Sequence, residues 1–341
     1  MLAQNAENGA RIVGGPLIAA ILGLFDRPRV PRAAARSAPQ YDAASILLGI
    51  RRLRELRFLV SEKAARPRRS RLAAWNHNLA SAFYHAATRD LRYLEDPADI
   101  KRYVDGRISA EKRPALFKRY RARARVALPV PAASGGADLE VTLHARRTVR
   151  EFSRKPVPFA DLARTLRGTW GCTGIFKGGL VEPLLAKTSP SGGGLHPGEC
   201  YVLAWNVDEL PPGLYHYDIA SDELRRLRRG DFRKEAVHAA SGQKWVGRAA
   251  FLCVMTVVFA RTLWKYQVEN AYRTVWLDAG HLAQTFCLLA TSRGLGPFTT
   301  AAIQDSFIER LIGLDGIREF PVYLCGAGVP APRSRRRLKA G

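Results

Sequence analysis

The feature that most constrains the fold is the alternation of helical and β-rich segments after residue 137. A helical pattern that begins near Pro158 carries its apolar side chains on one side and stops at Gly171. A longer pattern over residues 271–293 ends at Gly294, where a left-handed cap is expected. Apolar runs predict strands at 200–205, 213–217, 250–259 and 321–325. Such alternation is typical of a layered α/β or α+β domain.

The residues before 137 have a different character. Prolines between positions 27 and 32 disfavour a regular helix. Apolar side chains recur every three or four positions over residues 43–60, and a second helical stretch covers about 72–87. A Pro- and Gly-rich stretch at 128–136 resembles a linker. These patterns divide the chain into a poorly ordered segment at 1–40, a small helical or winged-helix-like domain at 41–130, the layered domain at 138–332 and a basic tail at 333–341.

The formal net charge of +24 raises the question of a nucleic-acid partner. Arginine is spread over both halves of the chain, however, without a Lys-rich tail or zinc-finger spacing. We therefore predict no nucleic-acid partner. The same charge would favour an acidic peptide or an anionic cofactor.

Cysteine spacing and hydropathy indicate a cytoplasmic protein. The five cysteines are far apart and mostly set in apolar runs, which is typical of reduced core thiols and not of a Cys-based metal site. The apolar run at 12–25 is too short to span a bilayer, so we predict no membrane association. A secretion signal is the alternative interpretation of that run.

Two polar segments could bind a cofactor. Arg146, Arg147, Thr148 and Arg150 form a cluster whose guanidinium groups would suit the phosphate and the electron-poor ring of flavin mononucleotide (FMN). In a chain this rich in arginine, a solvated charge run is the alternative.

The second segment is a loop that begins with Ser189, Pro190, Ser191 and Gly192. Its glycines allow the backbone to approach a flat ligand, its serines offer hydroxyl groups, and its prolines stiffen the chain. A flexible surface loop is the alternative, but the residues that follow run straight into a buried-looking strand.

Lys265 and Tyr266 follow another apolar strand and are candidates to orient or deprotonate a carbon acid, although exposed Lys-Tyr pairs are common. In the long helix, Asp278 and His281 share one face. Hydrogen bonding at a helix contact is favoured for them, because a metal site needs more ligands than this segment offers.

The order of these segments resembles the SagB-type dehydrogenases of the nitroreductase superfamily. The resemblance covers roughly residues 140–330, and its specific parts are Ser-Pro-Ser-Gly-Gly and Asp-Ala-Gly-His. It implies an α+β, nitroreductase-like fold with a central, mostly antiparallel sheet flanked by helices. It also implies FMN at a homodimer interface, and oxidation of azoline rings to thiazoles or oxazoles in ribosomally made peptides.

The resemblance also implies roles for particular residues. Lys265 and Tyr266 match the family's catalytic pair. The residues that match its cofactor segments are Arg146, Arg147, Thr148, Arg150, Ser189, Pro190, Ser191, Gly192, Gly294 and Gly296. Near the end of the sequence, Arg333 or Arg335 could supply a further contact to the phosphate of the cofactor. The family's extra N-terminal domain is thought to hold the substrate peptide, which suits residues 41–130, and a cyclodehydratase is the expected partner.

Some positions depart from the family pattern. Thr148 stands where serine is usual, Gly194 stands where alanine is common, and an expected arginine is missing between Tyr266 and Tyr272. The chain therefore resembles the branch of the family described as peptide maturation dehydrogenases more than it resembles the best-studied members. Two other functions stay open: an NAD(P)H-dependent nitroreductase-like flavin reductase, and a flavin-free scaffold that binds a leader peptide.

Overall fold

The computed structural model describes residues 2–4, 11–25, 27–64, 78–89, 94–121, 123–130, 137–177 and 181–332. The chain divides into two compact units, residues 1–93 and 94–341. The sequence analysis predicted a domain boundary near residue 130, but the structure divides the chain after residue 93. The reason is that residues 94–130 supply a helix and an edge strand to the larger unit.

The described part of the first unit is mainly helical, as predicted. Its elements are β1 (Leu2–Gln4), β2 (Arg11–Val13), α1 (Pro16–Leu24), α2 (Pro31–Arg36), α3 (Ala43–Glu55) and α4 (Leu79–Ala87). Ile21, Ala34 and Ile46 are fully buried in its core. This differs from the expected poor order over residues 1–40. Pro31 begins α2, a position where the missing N–H of proline costs no hydrogen bond.

The second unit contains a seven-stranded antiparallel sheet. In spatial order its strands are β10 (Gly296–Thr300), β11 (Glu319–Gly328), β9 (Phe251–Val258), β6 (Gly198–Ala204), β7 (Gly213–Asp218), β8 (Glu223–Arg229) and β3 (Ala124–Ala127). A separate antiparallel pair consists of β4 (Cys172–Phe176) and β5 (Leu184–Lys187). The four strands predicted from sequence are β6, β7, β9 and β11.

Helices flank this sheet on both faces. The helices of this unit are α5 (Pro97–Ala110), α6 (Leu139–Ala145), α7 (Phe159–Trp170), α8 (Arg233–Ala239), α9 (Ala260–Lys265), α10 (Asn270–Ser292) and α11 (Asp305–Ile312). The sheet has a hydrophobic core on each of its two faces. Alternate side chains of β6 enter one core or the other, because successive residues of a strand point to opposite faces. Cys200 and Val202 pack with α7 and α10, whereas Tyr201 and Leu203 pack with α8 and α11. The predicted α+β architecture is therefore confirmed.

Two local predictions also hold, one for a helix cap and one for the cysteines. Gly294 follows α10 with a φ of 72°, the left-handed conformation expected of a helix cap. All five cysteines are free, and four of them are buried: Cys200, Cys253, Cys287 and Cys325. Within the described residues, no helix is both long enough and apolar enough to cross a membrane.

Candidate active site

The Ser189–Gly194 loop lies immediately before β6 and is attached to α10. Ser191 Oγ donates a hydrogen bond to Asp278 Oδ2 at 2.5 Å, and the Gly192 amide donates to Asp278 Oδ1 at 3.1 Å. Ser191 Oγ also accepts a hydrogen bond from the His196 amide at 2.9 Å. One carboxylate of the long helix thus fixes the centre of the loop.

The start of the loop is attached to the same helix. The hydroxyl groups of Ser189 and Thr285 lie 2.6 Å apart, and His281 Nδ1 lies 3.3 Å from the Pro190 carbonyl oxygen. Asp278 and His281 therefore make the helix contact that the sequence favoured for them. Among the described residues, no cluster of His, Cys, Asp or Glu could hold a metal ion.

Lys265 and Tyr266 lie at the end of α9 and face the glycines of this loop. Gly193 has a φ of 65°, and a Cβ atom built on it would lie 3.0 Å from Lys265 Nζ and even closer to Tyr266 Oη. Glycine is favoured here, because the left-handed backbone disfavours other residues and a Cβ atom would displace the ends of both side chains. The structure thus brings the predicted loop and the predicted catalytic pair into contact.

A buried charge network anchors the other end of α9. Arg261 pairs with Glu199 of β6 at 2.7 Å, and Glu199 also contacts His216 Nε2 at 3.0 Å. Burial acts to raise the pKa of Glu199, but Arg261 and His216 outweigh burial and lower it to about 2. Arg261 also donates to the His196 carbonyl at 3.4 Å, at the end of the loop. The network therefore connects α9, β6 and the loop.

The arginine segment lies elsewhere, at the C-terminal end of α10. The Val149 amide donates to the Pro297 carbonyl at 2.9 Å, and a Cβ atom on Gly296 would lie 2.7 Å from Val149 Cβ. The segment that starts at Arg146 is therefore packed directly on the Gly294–Gly296 turn. Here too, glycine permits a close approach of two chain segments.

The polar side chains of this segment are accessible. Arg147, Thr148 and Arg150 are exposed and Arg146 is half-buried. The Arg150 guanidinium stacks over Trp245, 5.4 Å from the ring centroid. The exposed side chains of this segment are accessible to an anionic ligand. Arg333 and Arg335 lie outside the described residues.

A family model described as the Nitroreductase family matches residues 143–329, more than half of the chain. The chain belongs to this family. A solved structure from Ralstonia eutropha, named as a nitroreductase, is similar to this chain with a TM-score of 0.50 and 25% sequence identity. The similarity covers 65% of this chain. The chain in turn covers 95% of that structure.

Three relatives are similar in sequence to this nitroreductase-family chain. A Methanocaldococcus jannaschii protein named as a nitroreductase is 30% identical over 56% of this chain and 90% of its own length. Trifolitoxin operon protein TfxC of Rhizobium leguminosarum bv. trifolii is 25% identical over 87% of this chain and 85% of its own. Microcin B17-processing protein McbC of Escherichia coli is 28% identical over 37% of this chain and 48% of its own.

Sequence reasoning did not identify the network of Glu199, His216 and Arg261 as part of the site. Its members come from β6, β7 and α9, which are adjacent only in the folded chain. The only local signal was polar residues within apolar runs, such as Glu199 directly before Cys200. A buried charge needs a partner, but the sequence does not say which one.

Proposed function

We propose that this chain is an FMN-dependent dehydrogenase that oxidises azoline rings in a ribosomally made peptide to thiazoles or oxazoles. The observation that carries the proposal is the contact of Gly193 with Lys265 and Tyr266, which joins the candidate flavin loop to the candidate catalytic pair. The similarity to TfxC over 87% of the chain, and to the microcin-processing protein McbC, supports a peptide substrate.

The residues present fit FMN. The loop offers backbone polar groups and a hydroxyl group at fixed positions, because Asp278 holds Ser191 and Gly192, and its glycines place Lys265 and Tyr266 against the loop backbone. Arg147 and Arg150 are exposed guanidinium groups that match the phosphate of the cofactor. They lie at the C-terminal end of α10, about 20 Å along that helix from Asp278, so we propose that a second copy of the chain brings them to the same cofactor. When bound, FMN would accept two electrons as a hydride and would be reoxidised by oxygen.

The conversion of an azoline to an azole removes two hydrogens from the ring, one as a hydride and one as a proton. We assign the proton to Lys265 and Tyr266, whose Nζ and Oη atoms both face Gly193. Fixed side chains at this point would hold the ring beside the cofactor and accept or relay its proton. Aromatisation supplies the driving force, so the protein mainly positions and polarises its substrate.

The proposal also assigns partners. A cyclodehydratase must form the azoline before this chain can oxidise it, and we propose such an enzyme as a partner. The net charge of +24 would attract an acidic precursor peptide. We assign binding of that peptide to the N-terminal part of the chain.

We further propose that the active form is a homodimer. The exposed apolar side chains of α6 and α10 support this, because soluble monomers seldom leave such residues uncovered in groups. Leu139 and Val141 of α6 are 63% and 67% exposed, and Leu277 of α10 is 59% exposed. Light scattering after size exclusion would test it: a wild-type dimer and a Leu277→Glu monomer are expected, whereas a wild-type monomer contradicts it.

The first experiment is the visible spectrum of the purified protein, with mass identification of any released cofactor. We expect oxidised-flavin bands and about one FMN per chain. A folded, colourless protein that takes up no added FMN would overturn the proposal. It would favour the flavin-free, peptide-binding scaffold instead.

The second experiment tests Lys265. Lys265→Ala should retain FMN but lose azole formation by roughly 100-fold or more, since a positioned proton acceptor contributes about that much. Exposed Lys234 of α8 provides the control, and Lys234→Ala should oxidise at the wild-type rate. Unchanged turnover in Lys265→Ala would remove the role assigned to this lysine.

The similarity to the Methanocaldococcus jannaschii protein named as a nitroreductase favours a second candidate, an NAD(P)H-dependent flavin reductase. Rapid bleaching of the bound flavin by NADPH, without any peptide, would support this reductase. Slow bleaching together with fast reduction by an azoline peptide would support the dehydrogenase.

A further inference from the structure

Helix α9, which carries Lys265, is too short to fix its own geometry. It contains six residues, and isolated helices of that length are unstable in water. The last carbonyl groups of any helix lack partners within the helix. The Tyr266 amide satisfies the Thr262 carbonyl, but the carbonyls of Trp264 and Lys265 must find partners elsewhere.

Both of those carbonyls are bound by side chains of α5. Tyr103 Oη donates a hydrogen bond to the Lys265 carbonyl at 2.9 Å, and Arg107 Nε donates to the Trp264 carbonyl at 2.8 Å. The cationic Arg107 also complements the negative end of the α9 dipole. An ion pair of 2.6 Å with Glu111 orients the Arg107 guanidinium, and its side chain is only 13% exposed.

The same two segments are joined at further points. Trp264 Nε1 donates to the Glu111 carbonyl at 3.0 Å, and Arg261 Nε donates to the Ala115 carbonyl at 2.9 Å. The Arg113 guanidinium lies over the Trp264 ring, 5.8 Å from its centroid. Residues 97–115 are therefore attached along the whole of α9, although they precede the stretch that matches the Nitroreductase family model.

We infer that Tyr103 and Arg107 are positioning residues, which clamp the end of α9 so that Lys265 and Tyr266 face Gly193. The inference rests on the proposed function of Lys265, and it gives α5 a part in the reaction. Reacting groups must be held close to their productive separation, and small displacements cost large factors in rate. The α5 side chains act through the backbone of residues 264 and 265 and touch no reacting atom.

The test removes each hydrogen bond with little change in shape, in Tyr103→Phe and Arg107→Met. The first readout is the rate at which an acetylating reagent modifies Lys265, measured by mass spectrometry. Lys265 is half-buried, so its release from Gly193 should raise this rate roughly two- to ten-fold, the equivalent of one lost hydrogen bond. Exposed Lys234 serves as the internal reference and should be modified at an unchanged rate.

The second readout is azoline oxidation by the FMN-loaded enzyme. Each variant should lower kcat roughly two- to ten-fold while KM and FMN content stay near the wild-type values. A purely structural role would instead lower the amount of folded, FMN-loaded protein and leave kcat per flavin unchanged. That result would overturn the inference.

Matched controls make the same chemical changes away from α9. Tyr215→Phe removes another tyrosine hydroxyl bonded to a backbone carbonyl, that of Pro211, and Arg102→Met removes a guanidinium of α5 that pairs with Asp99. Both should leave Lys265 modification and kcat unchanged. The inference that Tyr103 and Arg107 position Lys265 would also be overturned if the control variants changed Lys265 modification and kcat as much as the test variants do. Unchanged Lys265 modification in folded Tyr103→Phe and Arg107→Met would overturn it as well. If the wild type oxidises no azoline, the proposed function fails, and the Lys265 modification rate alone decides the inference.

Discussion

Ser191 and Asp278 are joined by a hydrogen bond of 2.5 Å between the loop hydroxyl and a carboxylate of α10. Burial raises the pKa of Asp278, and the hydrogen bonds from Ser191 and the Gly192 amide oppose that rise. The carboxylate thus fixes two successive residues of the loop. The position of Gly193, the next residue, depends on this attachment.

Asp278→Asn should loosen the loop and weaken FMN binding. The amide keeps the shape of the side chain but cannot accept both hydrogen bonds with equal strength, so we expect Kd to rise roughly three- to ten-fold. Titration of the cofactor-free protein with FMN measures the affinity. Asp208→Asn, at an exposed position, should not change it, and an unaltered Kd in Asp278→Asn would contradict the assigned role.

Gly193→Ala should disrupt the contact between the loop and the catalytic pair. The new methyl group would overlap Tyr266 and press on Lys265, so we expect azoline oxidation to fall more than ten-fold. Gly242→Ala is the matched control, because Gly242 also has a positive φ of 79° but has no atom within 4 Å of a new Cβ. The control pays the same backbone strain, about 1 kcal/mol, without the overlap. Equal activity losses in the two variants would assign the effect to strain alone.

The pair of Glu199 and Arg261 should show strong coupling. Arg261→Met leaves the carboxylate of Glu199 buried in β6 without its arginine partner, which costs about 3–5 kcal/mol of the free energy of unfolding. Glu199→Gln combined with Arg261→Met removes that unpaired charge and should lose less than the sum of the single variants. Urea denaturation of the four proteins gives the coupling free energy. Strictly additive losses would mean that the two side chains do not interact.

His196 should make the protein less stable as the pH falls below 6.5. Burial, with the nearby charge of Lys187, lowers the pKa of His196 to about 4, so the folded protein holds the imidazole neutral. Between pH 6.5 and 4 the unfolded chain takes up a proton that the folded chain does not, and the free energy of unfolding therefore decreases. The partial exposure of the ring limits this decrease to about 1–2 kcal/mol.

His196→Asn removes this titration and tolerates the φ of 44° at this position. Urea denaturation at pH 7 and pH 4.5 should therefore show a smaller loss of stability in the variant than in the wild type. The comparison stops at pH 4.5 because Glu199, with a pKa of about 2, begins to contribute below that value. Identical losses in both proteins would show that His196 is not responsible.

Strand β8 shows where local sequence information was insufficient. The arginine-rich residues 225–229 have the composition of a solvated charge run, yet the segment is a strand between β7 and β3. Arg225 is only 6% exposed and pairs with Asp218 at 3.3 Å and Glu223 at 3.0 Å. A buried arginine needs charged partners, and one of these, Asp218, comes from the neighbouring strand β7, which only the fold brings next to β8.

The sequence by itself determined the elements whose apolar side chains follow a regular period. Helices α7 and α10, the cap at Gly294 and strands β6 and β9 follow from local patterns, because helix and strand periods are properties of adjacent residues. The tertiary structure alone decided which segments meet. Gly193 faces Lys265, and Tyr103 holds the carbonyl of Lys265, through contacts between distant parts of the chain. Such contacts depend on how the layers pack, and no local pattern encodes that packing.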